Sequence, residues 1–267
     1  MDDNKKPLVL VTNDDGIDSP GLLALAGAVQ PFCDLLIVAP VDQQTNMGRG
    51  GLKGIDIGII EKRILNIGNK KVLGYAVNGS PAQAVAHAVL EIADRKPDFC
   101  LSGINYGENL GLAFTCSGTL GAAFEADSLG IPSIAFSRSM PLEVQKSSDF
   151  SRIDWTMEQY HVAEILKEVL GRGFADSVRI LNVNFPKDMS VSTEVRITRQ
   201  AYMNYGRYVH PGVRDFNKGQ SLNWALNEHL GSAESDTDIY AMHIDCVISV
   251  TPMSSMMSLP VQSYLSK

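Results

Sequence analysis

Residues 8–17 read LVLVTNDDGI, an apolar run passing through Thr12 into an asparagine, two adjacent aspartates and a glycine. A stretch that is apolar without alternation is the signature of a strand covered on both faces, the situation of parallel sheets packed between helices. The two aspartates at its end are harder to account for. Two carboxylates about 4 Å apart repel by about 4 kcal/mol at an effective dielectric near 20. Successive strand side chains point to opposite faces, so Asp14 and Asp15 converge only if the chain is already turning, which Gly16 permits. A converging pair must hold a proton or a cation, and hard carboxylate oxygens favour Mg²⁺, Mn²⁺ or Ca²⁺ over zinc. The plain alternative is an Asp-Asp-Gly turn with both side chains in water.

Working outward, Ser19-Pro20 predicts a helix start with proline at the first position, opening a helix over residues 21–29. Residues 34–39 (DLLIVA) form the next expected strand, which begins a βαβ series. Two extended runs within 55–77, separated by Gly68-Asn69, read as a hairpin or paired edge strands. Ser80-Pro81 repeats the helix signal before 82–93, and 97–102 is a strand leading into a glycine-rich loop over 103–116. A small-residue helix over 117–129, a strand at 133–137, an amphipathic helix over 154–170 and a strand at 179–184 follow. This alternation implies an open, largely parallel α/β sheet with helices on both faces.

After Pro186 the pattern changes. Strands are expected at 193–201 and 244–250, but 202–238 is rich in Gly, Asn and aromatic residues with weak periodicity. The expected organisation is an α/β core over 1–190 and a β-rich appendage or oligomerisation arm over 191–267 that does not fold alone.

Composition limits the function. With 23 basic and 30 acidic residues in 267, the net charge of −7 disfavours nucleic acid or an anionic membrane as partner. The opening MDDNKKP lacks an apolar segment of the secretory kind, and 21–40 is too interrupted to span a bilayer. Four scattered cysteines without a C-x-x-C pair point to reduced thiols and a cytoplasmic protein. The histidines form no zinc-type cluster.

Open α/β sheets bind ligands outside the carboxyl ends of their strands, and four strand-end loops carry suitable groups here. Asn13, Asp14 and Asp15 end the first strand. The loop SGINYGENLG, 102–111, places Asn105 as a neutral oxygen donor among glycines that allow close backbone approach, with Gly107 and Asn109 beyond it. In SGTLGAA, 117–123, Ser117, Gly118 and Thr119 open a helix whose N–H groups and hydroxyls suit a phosphate, although helix capping alone would explain the serine. APVDQQTNMG, 39–48, offers Gln43, Gln44, Thr45 and Asn46, which surface polarity would also explain. Their convergence on one edge is the stronger signal.

The stretches LVLVTNDDGIDSPGLLAL, VAPVDQQTN, VNGSPAQAV, PDFCLSGINYGENLG, SGTLGAAFEA, GIPSIAFS, LNVNFP and VISVTP occur in this order between residues 8 and 252. In them the chain resembles the SurE (stationary-phase survival protein) family of metal-dependent nucleotidases. The resemblance implies a Rossmann-like fold and a 5′-nucleotidase. Such an enzyme is a phosphomonoesterase using one Mg²⁺ or Mn²⁺ per subunit on nucleoside monophosphates, with 3′-nucleotidase and exopolyphosphatase side activities open. It implies metal ligation by Asp14, Asp15, Asn105 and Thr45, the last where the family usually has serine, and a phosphate seat at Asn13, Asn105, Ser117, Gly118 and Thr119. Asp14, Asp15 and Asn105 are thereby the catalytic residues, Asn46, Gly107 and Asn109 a substrate loop, and the assembly a homodimer or homotetramer.

The chain departs from that pattern at Asn46, commonly glycine; at Leu112 and Ala113, often acidic; and at Cys116, commonly tyrosine. These changes keep a rival reading open, a non-catalytic nucleotide-binding protein with a decayed pocket. An aspartyl-phosphate mechanism lacks its usual D-x-D-G-T spacing, because the two aspartates are adjacent.

Overall fold

The computed structural model describes residues 5–141 and 153–258; the first residues of the expected non-signal terminus and the end of the tail lie outside them. Among the described residues, nine strands form one sheet in the order β3-β4-β2-β1-β5-β6-β7-β11-β8. β1 (Leu8–Thr12), β2 (Asp34–Pro40), β4 (Lys70–Val77), β5 (Phe99–Tyr106), β6 (Ser133–Arg138) and β7 (Ile180–Phe185) are parallel. β3 (Ile60–Ile67) folds back on β4 through Gly68-Asn69, the expected hairpin at the sheet edge.

The pleat of these strands explains the two helical layers. Val9 and Val11, with Leu101, Ile134 and Phe136, point to the side covered by α1 (Pro20–Val29) and α4 (Thr156–Arg172). Leu10, Val38 and Cys100 point the other way, onto α2 (Pro81–His87) and α3 (Gly118–Ser128). All of these side chains are fully buried, and burying one such aliphatic or aromatic residue contributes about 1.5–3 kcal/mol. α2 opens with a capping box in which Ser80 and Gln83 exchange bonds, whereas Ser19 sits at the N-cap of α1 without a side-chain cap. A π-helical turn, Ala88–Ile92, replaces the second half of the expected second helix.

β1 is the place where the strand order reverses: β2 lies on one side of it and β5 on the other. The loops after β1 and β5 therefore open onto the crevice in which such sheets bind ligands. β5 runs to Tyr106, so Gly103, Ile104 and Asn105 belong to the strand and not to the glycine-rich loop expected from 103.

The sheet also extends past the expected boundary at 190. β8 (Val195–Ile197) and β11 (Ile248–Met253) pair within it, β11 antiparallel to β7. A ribbon of β9 (Gly206–Val209) and β10 (Asn223–Leu226) stands outside the sheet, and α5 (Asp238–His243), not expected from the sequence, packs on β11. No helix among the described residues is long and apolar enough to cross a membrane.

Candidate active site

Asp14 and Asp15 line one cleft of about 330 Å³, together with Thr45, Asn105, Gly107, Asn109, Ser117 and Gly118. Loops after β1, β2 and β5 and the start of α3 supply them, so the four strand-end segments meet at the switch point. Gly16 adopts a φ of +100°, and the turn is closed by Asn13, whose Nδ2 donates to the Gly16 carbonyl (3.0 Å) while its Oδ1 accepts the Gly16 N–H (3.2 Å). Asn13 is fully buried in this role and is not among the cleft-lining residues, unlike the phosphate contact expected of it.

Both carboxylates are 5% exposed. Asp14 Oδ1 accepts from the Thr119 hydroxyl at 2.8 Å. The Asp14 carbonyl accepts the Gln44 N–H at 2.6 Å, which ties the β2 loop to the pair. Asp15 accepts from Gln43 Nε2 (3.2 Å) and from the Tyr106 N–H (3.4 Å). Burial raises the pKa of both, and for Asp15 the neighbouring Asp14 charge raises it further. Among the described residues, no Lys or Arg lines the cleft.

The donor set fits a hard divalent cation. Two carboxylates line a cleft with no positive side chain among its described residues, and Asn105, with an amide oxygen, and Thr45, with a hydroxyl, line it too. Asn105 gives its Nδ2 to the Gly107 carbonyl at 2.7 Å, leaving Oδ1 as the end available to an ion. Thr45 is exposed at the rim, and Asn46 beside it has a φ of +60°. That left-handed conformation suits glycine, and asparagine is among the few other residues that tolerate it, so the departure at 46 keeps the loop's shape. Among the described residues no group of three or more His, Cys, Asp or Glu gathers, so neutral oxygens must complete any ligand set.

At the start of α3 the hydroxyls have distinct duties. Ser117 Oγ accepts the Leu120 N–H at 3.1 Å as the N-cap and keeps its own proton to donate. The Thr119 hydroxyl is committed to Asp14, and so it orients that carboxylate. Gly118 is required by space: a Cβ there would sit 2.6 Å from Asp14 Oδ2 and 2.8 Å from Asp14 Cβ. Gly118→Ala is therefore expected to displace Asp14 and lower turnover about a hundredfold, with the thermal midpoint checking that the fold survives. Turnover within twofold of the parent would show that the carboxylate position is not critical.

Asn109 is the hub of a buried network. Its Nδ2 donates to Ser137 Oγ (2.8 Å) and Thr119 Oγ1 (3.4 Å), its N–H to Asn184 Oδ1 (2.8 Å), and its carbonyl accepts from Asn182 (2.9 Å) and Asn184 (3.1 Å). The fixed loop thus reaches Asp14 through Thr119. Glu108, Tyr205, Tyr208, Leu222 and Trp224 also line the cleft and were not anticipated. Glu108 Oε1 accepts from Ser139 (2.7 Å) and from Tyr205 (2.8 Å), and burial together with the Glu108 charge pushes the Tyr205 phenol well above its ordinary pKa. Glu108 lay in plain view within GENLG; the aromatic residues lay in the segment whose periodicity is weakest.

The family model described as "Survival protein SurE" matches residues 9–207. A 5′-nucleotidase SurE of Methanocella arvoryzae is 37% identical over 249 residues, covering 92% of this chain and 91% of that protein. Another of Methanosphaera stadtmanae is 34% identical over 247 residues, covering 92% and 94%. The crystal structure of a SurE protein from Aquifex aeolicus superposes with a TM-score of 0.72 at 30% identity, covering 94% of this chain and 95% of that one.

Proposed function

The chain belongs to the SurE family, and from that premise we propose that it is a divalent-metal-dependent 5′-nucleotidase, releasing phosphate from nucleoside monophosphates. The observation that carries this reading is the meeting of Asp14, Asp15, Asn105, Thr45 and the N-terminus of α3 in one cleft at the sheet's switch point. Asp14, Asp15, Asn105 and Thr45 would hold one Mg²⁺ or Mn²⁺ per subunit. When bound, such an ion polarises the phosphoryl group and makes water more acidic.

The protein's own groups do the rest. A phosphate dianion approaching two carboxylates would be repelled, so Ser117 and Gly118 counter it with a hydroxyl and the N–H groups of a helix start. Thr119 and Gln43 hold the two carboxylates in orientation through their hydrogen bonds. The Asn109 network fixes the floor against β6 and β7, so the charge-stabilising groups do not have to reorganise as the reaction proceeds. The decayed-pocket alternative is not favoured, since Leu112 and Thr45 leave these contacts in place.

Purified protein should release phosphate from nucleoside monophosphates in Mg²⁺ or Mn²⁺ and stop in excess chelator. Equal rates in chelator would overturn the metal-dependent reading. We further assign self-association, as a homodimer or homotetramer, to the arm beyond residue 190, which exposes Tyr202, Val213 and Phe216. The cysteines are free thiols, in keeping with a cytoplasmic site of action.

A further inference from the structure

The cleft is lined by two chemically different sets of side chains, supplied by different parts of the chain. Asp14, Asp15 and Asn105, at strand ends of the sheet, are one kind of lining; Tyr208, Leu222 and Trp224, all from the ribbon region, are the other. Tyr208 and Trp224 are directly opposed cross-strand partners, so their rings stand on the same face of the ribbon. Gly206 lies beneath the indole, where a Cβ would overlap the ring of Trp224, so the ring rests against bare backbone. Neither ring stacks on another aromatic among the described residues. Tyr208 is 66% exposed although it borders the cleft. An aromatic pair and a phosphate-type helix start lining one cleft match a ligand that carries both a planar ring and a phosphate.

Resting on the nucleotidase reading, we propose that the β9–β10 ribbon is the nucleobase seat, with the base stacking on Trp224 and Tyr208 while the phosphate meets Ser117 and Gly118. The cleft's volume of about 330 Å³ lies within the usual range for small-molecule sites, about 300–1,000 Å³. Stacking is indifferent to base identity because every base has a π-face. The wall therefore selects for the presence of a base and only weakly among bases.

Ribose 5-phosphate, which has the same phosphoryl end and no base, provides the test. The parent is expected to show a kcat/KM for AMP and CMP about tenfold or more above that for ribose 5-phosphate. Trp224→Ala should collapse that ratio toward one, chiefly through KM, and Trp224→Phe should restore most of it. A second readout uses fluorescence. The chain has two tryptophans, so in a Trp155→Phe background Trp224 alone emits; AMP and adenosine should quench it and ribose 5-phosphate should not.

If Trp224→Ala does not fold, Tyr208→Ala and the quenching titration decide. A ratio unmoved by either substitution, or no quenching by AMP, overturns the base seat while AMP hydrolysis leaves the nucleotidase reading standing. If the parent hydrolyses no nucleoside monophosphate in any divalent ion, the nucleotidase reading fails instead, and quenching alone then supports or sinks the ribbon.

Discussion

Exchanging Asp14 for asparagine should cut phosphate release about a thousandfold, because about 4 kcal/mol of transition-state stabilisation depends on a charged ligand at that position. The same exchange should leave the ion-free fold at least as stable as the parent. Asp14 and Asp15 are both raised by burial, and Asp15 additionally by its neighbour, so the ionised pair opposes folding. The sign follows from linkage. As pH rises past the unfolded carboxylate value of about 3.9, the unfolded chain releases protons that the folded pair retains. Stability from this pair is therefore present at low pH and declines towards neutrality, by up to about 1.4 kcal/mol per pH unit for each retained proton. An ion-paired aspartate would behave the opposite way.

Thermal denaturation of chelated protein between about pH 5 and 8 checks the claim. The parent's midpoint should fall across the range, that of Asp14→Asn should fall less, and added Mg²⁺ or Mn²⁺ should raise the parent's midpoint far more than the variant's. Parent-like turnover in Asp14→Asn would end the metal-site assignment.

Asp238→Ala should destabilise the protein by about 3–4 kcal/mol, since each buried N–H left without an acceptor costs about 1–3 kcal/mol. Asp238 is fully buried, and its carboxylate accepts three backbone N–H bonds: Gly111 at 2.8 Å, Ala201 at 2.9 Å and Ile239 at 2.8 Å. Gly111 belongs to the loop after β5, and Ala201 precedes the segment that carries Tyr205 into the cleft. One side chain thus clamps both walls of the cleft to α5. Asp238→Asn retains one acceptor oxygen and should lose about half as much. Urea denaturation measures the loss, and KM for a nucleoside monophosphate should rise more than kcat falls as the two walls loosen. A midpoint shift equivalent to less than about 1 kcal/mol would show that the clamp carries little of the fold.

The parallel strands were readable because LVLVT, DLLIVA and SIAFS are apolar on both faces, a pattern that few other environments produce. That Asp14, Asp15 and Asn105 line one cleft was readable because all three fall at the carboxyl ends of parallel strands, where open α/β sheets form their crevice. The short helix α5 escaped because six residues give too little periodicity to register, even with Thr237 capping it. The ribbon escaped because its strands are four residues long and mostly exposed, so no buried face imposes an alternation. The duties of Asn182 and Asn184 depend on a loop more than seventy residues earlier in the chain settling beside β7, and local pattern carries no trace of such a partner. For the same reason the bond from the Thr119 hydroxyl to Asp14, more than a hundred residues earlier, left no sign in the sequence.

The cleft is assembled from two materials with different freedoms. Its acidic lining is made of sheet termini whose every displacement is felt by the packed interior. Its aromatic lining hangs on an excursion beyond the sheet, fastened through Asp238 and the Glu108–Tyr205 bond. Substitutions at the exposed positions of the ribbon itself touch neither the main sheet's interior nor the carboxylates, so what the cleft admits can change there without altering how the sheet folds or how a phosphate ester is broken.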